Sequence, residues 1–94
     1  MTGDGAVVRR RVLISGRVQG VFFRDACRHE ALAAGVRGWV RNRGDGGVEA
    51  VFEGPRQGVE RMVAWCHSGP ARARVTKVEV AEEPPIGEAG FRVG

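Results

Sequence analysis

Between Val7 and Ser15 the chain reads VVRRRVLIS, a largely aliphatic run in which Val8, Val12 and Ile14 share the period of two expected of one strand face, with Gly16 to stop it. The period then changes. From Phe23 to Ala34, the positions Phe23, Ala26, Cys27, Glu30, Ala31 and Ala34 fall on one helical stripe, apolar except for Glu30, and Gly35 follows as a C-terminal stop. VRGWVRN and GVEAVFEG are two short β-like runs joined by RGDG, whose Asp45-Gly46 pair tolerates positive φ; they predict a hairpin with Asn42 at the end of its first arm. After Gly54-Pro55, Val59, Met62, Val63 and Cys66 return to helical spacing until Gly69-Pro70. ARVTKVEVAEE then alternates Val75, Lys77 and Glu79 against Thr76, Val78 and Val80, and FRV after the Pro84-Pro85 break adds a last strand piece.

The expected order is strand, helix, strand, strand, helix, strand, without internal repeats. The simplest closure is an α/β (α+β) ferredoxin-like sandwich: two split βαβ halves form a four- to five-stranded antiparallel sheet with both helices on one face. Ninety-four residues, 43% hydrophobic and 28% charged, suffice for one core. Residues 1–6, Gly-rich and polar, read as a frayed tail, leaving 7–94 as a single domain.

Charge narrows the partners. Fifteen Lys and Arg against eleven Asp and Glu leave a net +4, which favours phosphorylated metabolites, nucleic acid or an anionic membrane surface. No apolar run is long enough to span a bilayer and no signal peptide is evident, so a cytoplasmic protein is expected. Cys27 and Cys66 lie outside any CxxC pattern, each on a helical stripe with apolar neighbours, and are expected to be buried free thiols. His29 and His67 have no ligand at metal spacing and are expected at the surface. The Arg9-Arg10-Arg11 cluster is read as an exposed strand start, and Trp39 and Trp65 as amphipathic residues at the core edge.

The stretch SGRVQGVFFRD, 15–25, is chemically the most pointed. A glycine-containing turn from strand to helix can aim successive N–H groups at one point, where the helix adds its own unsatisfied N–H groups and positive dipole end. Such a turn suits a phosphate-sized anion. Arg24, in the first helical turn, opposes the dipole at a cost of roughly 0.3–1 kcal/mol, which a bound anion would offset. On the residues alone a second reading stands beside this one, in which Gly16 and Gly20 merely let the chain turn and Arg24 points to water. Nucleotide hydrolysis is not supported, because Val21 follows Gly20 where a Walker A motif has Lys and then Ser or Thr.

GRVQGVFFR at 16–24 closely resembles the signature of acylphosphatases, and GWVRNRGDGGVE at 38–49 resembles their second block. The resemblance runs from about Val8 to Val93. It implies the fold inferred above and a small monomer that needs no metal or cofactor. It also implies an activity, hydrolysis of the carboxyl-phosphate bond of a small-molecule acyl phosphate to a carboxylate and inorganic phosphate. Carried over by position, the phosphate-binding arginine is Arg24, the water-positioning asparagine is Asn42, and the phosphate loop is Gly16, Arg17, Val18, Gln19, Gly20, Val21 and Phe22, with Gln19 to Phe22 nearest the anion. Arg43 stands where animal members carry Thr.

An acyl phosphate departs as a carboxylate and needs no enzymic acid. Asp25 and Asp45 are the nearest candidates for a base, but Asp25 suits the first turn of a helix and Asp45 a hairpin turn. An RNA-binding module on the same sandwich would need several aromatics along its central strands, where the second block offers mainly Phe52, so nucleic acid is not expected as a partner, and neither is a membrane. The same fold and loop occur at the front of the hydrogenase maturation factors, but a chain of one such domain favours a free-standing enzyme.

Overall fold

A computed structural model describes residues 6–94. Five of the six residues expected to form a tail, 1–5, lie outside the described residues; Ala6 is exposed and belongs to no element. The elements are β1 (Val7–Arg17), α1 (Phe23–Ala33), β2 (Arg37–Asn42), β3 (Val48–Pro55), α2 (Arg56–Cys66), β4 (Arg74–Glu83) and β5 (Phe91–Val93).

The period-two stripe of β1 behaves as expected. Val12 and Ile14 are fully buried under the helices and Val8 packs against the same core. Val40, Val48, Ala50 and Phe52 continue that face across β2 and β3, and Phe23, Cys27 and Ala31 from α1 meet Val59, Met62 and Cys66 from α2 above it. The sheet order is β4-β1-β3-β2-β5. β1 runs antiparallel to β3 and β4, and β3 to β2, but β5 lies parallel to β2, from Gly38↔Phe91 to Val40↔Val93. The expectation of a wholly antiparallel sheet is therefore corrected: the chain leaves β4 at one edge, crosses the sheet over residues 84–90, and enters the other edge in the direction of β2.

Three further expectations change. Strict alternation in β4 sets Val75 opposite to Val78, yet both pack against the core. A bulge is the cause: Ser15 pairs with Lys77 while Gly16 pairs with Val75, so Thr76 is the extra residue and the strand changes face there. Gly16 permits this because, at φ 119°, a Cβ would stand 2.1 Å from the Arg74 carbonyl oxygen. The Arg9-Arg10-Arg11 cluster is not simply exposed either. Arg9 is 6% exposed on the sheet face away from the helices, where Nη1 donates to Glu53 (3.1 Å) and Glu88 (2.9 Å) and Nε to Glu83 (2.9 Å).

The crossing segment covers these charges. Glu53, 1% exposed, accepts the N–H groups of Ile86, Gly87 and Glu88 at 3.0, 2.7 and 3.0 Å. Burial alone would raise its pKa, but those three donors and Arg9 outweigh it and hold the carboxyl down to about 2. Trp39 also faces this side rather than the core edge. It follows from its odd position beside inward-facing Val40, and its ring lies between the guanidinium groups of Arg11 and Arg41, at 5.7 and 5.2 Å. Trp65 stays at the core edge, 5.1 Å from the ring of Phe23.

Candidate active site

The turn from β1 to α1 is pinned at both ends by buried side chains, Val18 and Phe23, each 1% exposed. Between them the main chain turns outward and back, through Gly20 at φ 75° and Phe22 at φ 63°, ψ 27°. Phe22 is the only non-glycine residue described in this left-handed region, and its ring is 73% exposed, so packing does not impose the conformation. Phe22 occupies the N-cap position of α1 and makes no capping hydrogen bond. The first turn-level bond is Ala26 N–H to Phe22 O at 3.1 Å. Among the described residues, the N–H groups of Gln19, Gly20, Val21 and Phe22 donate to no main-chain acceptor of a turn or loop, and those of Phe23, Arg24 and Asp25 precede the first helical bond.

Of these residues Gly20, Phe22, Phe23, Arg24 and Asp25, but neither Gln19 nor Val21, line a hollow of about 350 Å³ together with Val18 and Val93. Arg24 is half-buried at its wall, with Nη1 donating to the main-chain oxygen of Gly94. Gly94 in turn donates its N–H to Val40 O at 2.8 Å, and Val93 pairs with Val40. One residue thus links the guanidinium to β2, two positions before Asn42. Val40 points into the core, so the alternation of the strand turns Asn42 toward the helix side at the strand end. Asn42 is exposed at the strand end and does not line the Arg24 hollow; the hollow it borders is lined by Arg11, Leu13, Arg41, Arg43, Gly44 and Glu49, most of them on the sheet face away from the helices.

The sequence reading grouped Gly16 to Phe22 as one loop; the fold divides it. Val18, Gly20 and Phe22 share the hollow with Arg24, whereas Gly16 belongs to the β4 bulge and Arg17, Gly20 and Val21 border a separate groove with Arg72 and Arg74. Gln19 has a role that the sequence did not reveal. Its Nε2 donates to both Arg43 O and Gly47 O, each at 2.8 Å, and so clamps the loop to the hairpin turn that follows Asn42. Both acceptors are main-chain oxygens more than twenty residues away, which leaves no pattern in the sequence. Gly94 likewise holds Arg24 through a main-chain oxygen.

Of the two aspartates only Asp45 is engaged, whereas Asp25 lines the Arg24 hollow and has no ion pair among the described residues. Asp45 accepts Gly47 N–H at 2.9 Å and pairs with Arg43 at 2.9 Å, as a turn residue should, and Asp25 is exposed in the first turn of α1. The two cysteines are buried free thiols: burial, reinforced by the nearby Cys66, pushes Cys27 well above its ordinary range, and burial raises Cys66 to about 12. His29 and His67 are exposed. Among the described residues no group of three or more His, Cys, Asp or Glu could hold a metal, and no helix is long and apolar enough to cross a membrane.

Comparison with known proteins places the chain in a family. The acylphosphatase family model matches residues 10–93. An acylphosphatase of Rubrobacter xylanophilus is 62% identical over 86 residues, covering 90% of this chain and 78% of the relative. One from a Roseiflexus species is 57% identical over 88 residues, covering 93% and 95%. Among solved structures, an acylphosphatase from Coxiella burnetii superposes with a TM-score of 0.91 at 36% identity, covering the whole of both chains. With the family model spanning nearly the whole chain and both sequence and fold in agreement, the chain belongs to the acylphosphatase family.

Proposed function

We propose that the protein hydrolyses acyl phosphates at the β1–α1 loop, with Arg24 and the Gln19–Phe22 amides holding the phosphoryl group and Asn42 positioning the water. The observation that carries this reading is the convergence on one hollow of unpaired loop amides, an uncapped helix start and a half-buried guanidinium. In the reaction a water oxygen bonds to phosphorus, the bond from phosphorus to the carboxyl oxygen breaks, and its electron pair leaves as a carboxylate. The leaving group needs no proton. What remains is to hold the transferring group, stabilise charge on its oxygens, and set water in line with the leaving oxygen.

Each charge-assisted hydrogen bond contributes roughly 1.5–3 kcal/mol, so the guanidinium and a few amides supply substantial binding. Only the share that strengthens in the transition state accelerates hydrolysis. Gly94 helps here by taking one guanidinium nitrogen, which fixes the direction in which the remaining N–H groups point. Asn42, with donors and an acceptor but no charge change near neutrality, suits the alignment of water. The substrate's own phosphate oxygen then takes the proton, which fits the engagement of Asp45 in its turn.

The rival RNA-binding reading weakens on one detail. Phe52, its best stacking candidate, is fully buried beneath the helices and unavailable to a base. The decisive experiment is steady-state hydrolysis of benzoyl phosphate with a chelator present. Wild type should turn over, Arg24→Ala should lose on the order of a thousandfold in kcat/KM by analogy with other phosphoryl-stabilising arginines, and Arg24→Lys should recover only part. Asn42→Ala should lower kcat more than it weakens competitive inhibition by phosphate. Normal turnover in Arg24→Ala would defeat the assignment, and equal losses in Asn42→Ala would remove its water-positioning role.

A further inference from the structure

On the β4 side of the loop lies a second, strongly basic groove that the reaction as described does not use. Arg17, Arg72 and Arg74 line this hollow of about 540 Å³, which includes Gly20 and Val21 of the loop itself. All three arginines are exposed, and among the described residues none is in an ion pair, a state they share with Arg24, Arg28, Arg37 and Arg56 but one found here for three arginines lining a single groove. Arg17 and Arg74 are moreover direct partners across the β1–β4 ladder. Like charges set opposite each other on adjacent strands destabilise a sheet, so the arrangement works against folding unless an anion occupies it. Close packing of the Arg74 carbonyl on Gly16 holds the groove in place beside the loop.

Direction links the groove to the reaction. Asn42 ends β2, and in the sheet order β2 and β4 lie on opposite sides of β1, the strand from which the loop springs. An in-line displacement puts the entering and leaving oxygens on opposite sides of phosphorus. With water on the β2 side, the acyl group points toward β4. We infer that Arg17, Arg72 and Arg74 receive a second anionic group, a carboxylate or a phosphoryl group, carried on the acyl portion of the substrate. This inference rests on the acyl phosphate reading of the loop and narrows its substrate class.

The test compares three matched substrates: butanoyl phosphate, with an uncharged tail, succinyl phosphate, with a carboxylate, and 3-phosphonopropanoyl phosphate, with a phosphoryl group. The protein is wild type or the double variant Arg72→Gln, Arg74→Gln; Arg17 is retained because its main chain belongs to the loop. For at least one charged substrate, kcat/KM relative to butanoyl phosphate should fall by about tenfold or more in the variant, the scale of a lost charge-assisted contact. Butanoyl phosphate itself should change by less than about threefold, since the variant leaves the loop and Arg24 intact. The charged substrate with the larger fall identifies the group.

A ratio unchanged for both charged substrates overturns the inference, as does an equal fall for all three, which would mean general attraction of phosphate rather than recognition of the tail. Loss of salt-sensitive RNA binding in the variant with unchanged ratios assigns the groove to nucleic acid and equally overturns it. Failure of wild type to hydrolyse butanoyl phosphate strikes at the site reading itself and is distinguishable from these outcomes.

Discussion

Glu53→Gln is the substitution most informative about how the distant face of the sheet supports the site. The wild-type carboxylate is 1% exposed and receives four donors, the N–H groups of Ile86, Gly87 and Glu88 and a guanidinium nitrogen of Arg9. Burial works against the charge, yet the donors bring the pKa from an ordinary 4.5 down to about 2. At about 1.4 kcal/mol for each pH unit, that difference corresponds to about 3 kcal/mol of folding free energy. Because the pKa is depressed on folding, the contribution is complete above pH 4.5 and is lost progressively as pH falls toward 2.

The amide of Gln carries no charge and turns an NH₂ toward groups that are themselves donors, so the variant should lose about 3 kcal/mol near neutrality, in the range for removal of one partner from a buried ion pair. For a domain of this size that is a fall in Tm of roughly 10–20 °C. Urea unfolding of both proteins from pH 2 to pH 7 is the assay. The stability gap should be constant above pH 5 and close as pH drops. Glu49, Glu83 and Glu88 are also held below their ordinary range by their arginines and steepen the acid limb, but they do so in both proteins and cancel in the difference to the extent that the network survives. A gap under about 1 kcal/mol at pH 7, or one independent of pH, would refute the reasoning.

The loop makes two further predictions testable and the core a third. Phe22→Gly removes a left-handed side-chain penalty of roughly 1–2 kcal/mol and adds unfolded-chain entropy of roughly 0.5–1, so Tm should hold or rise slightly while phosphate affinity falls; a clear loss of stability would contradict the strain. Gln19→Ala should cost about 1 kcal/mol in urea unfolding and lower kcat by releasing the hairpin turn beyond Asn42, and wild-type kcat would argue that the clamp is irrelevant to the water site. Cys27 and Cys66 should resist an aromatic disulfide reagent at pH 8 in the native protein and react promptly in denaturant, whereas rapid native labelling would contradict their burial.

Elements whose side-chain period matches a single neighbouring layer were legible from sequence. The α1 stripe through Phe23, Cys27 and Ala31 and the β1 stripe through Val12 and Ile14 bury the residues their spacing selects. What escaped reading depends on chain segments far apart. Arg9 is buried only because residues 84–90 cross over it, the parallel alignment of β5 depends on that same crossing, and Val75 reaches the core only through the bulge opposite Gly16. That a turn joins β1 to α1 was legible, because its glycines and the helix start are local signals, whereas the roles given to its residues came from the resemblance. The fastening of that turn through Gln19 was not legible, since its acceptors are main-chain oxygens of Gly47 and Arg43, which any sequence supplies equally.

Unfavourable choices collect at one end of the molecule. Phe22 sits in left-handed backbone, Arg24 opposes the dipole of α1, and Arg17 faces Arg74 across a ladder, at costs of roughly 1–2, 0.3–1 and 0.2–1 kcal/mol respectively. These are local costs of amides left open and charges left unpaired, which an anion can use and folding cannot. The network around Glu53 is of comparable magnitude and opposite sign, at about 3 kcal/mol, and involves groups with no part in the reaction. Its position matters as well as its size. By fixing residues 86–88 it leads the chain into β5, β5 sets Gly94 against Val40, and Gly94 holds Arg24. The same buried carboxylate therefore helps to offset the strain at the loop and transmits, through three residues of parallel strand, the placement of the Arg24 guanidinium beside the loop.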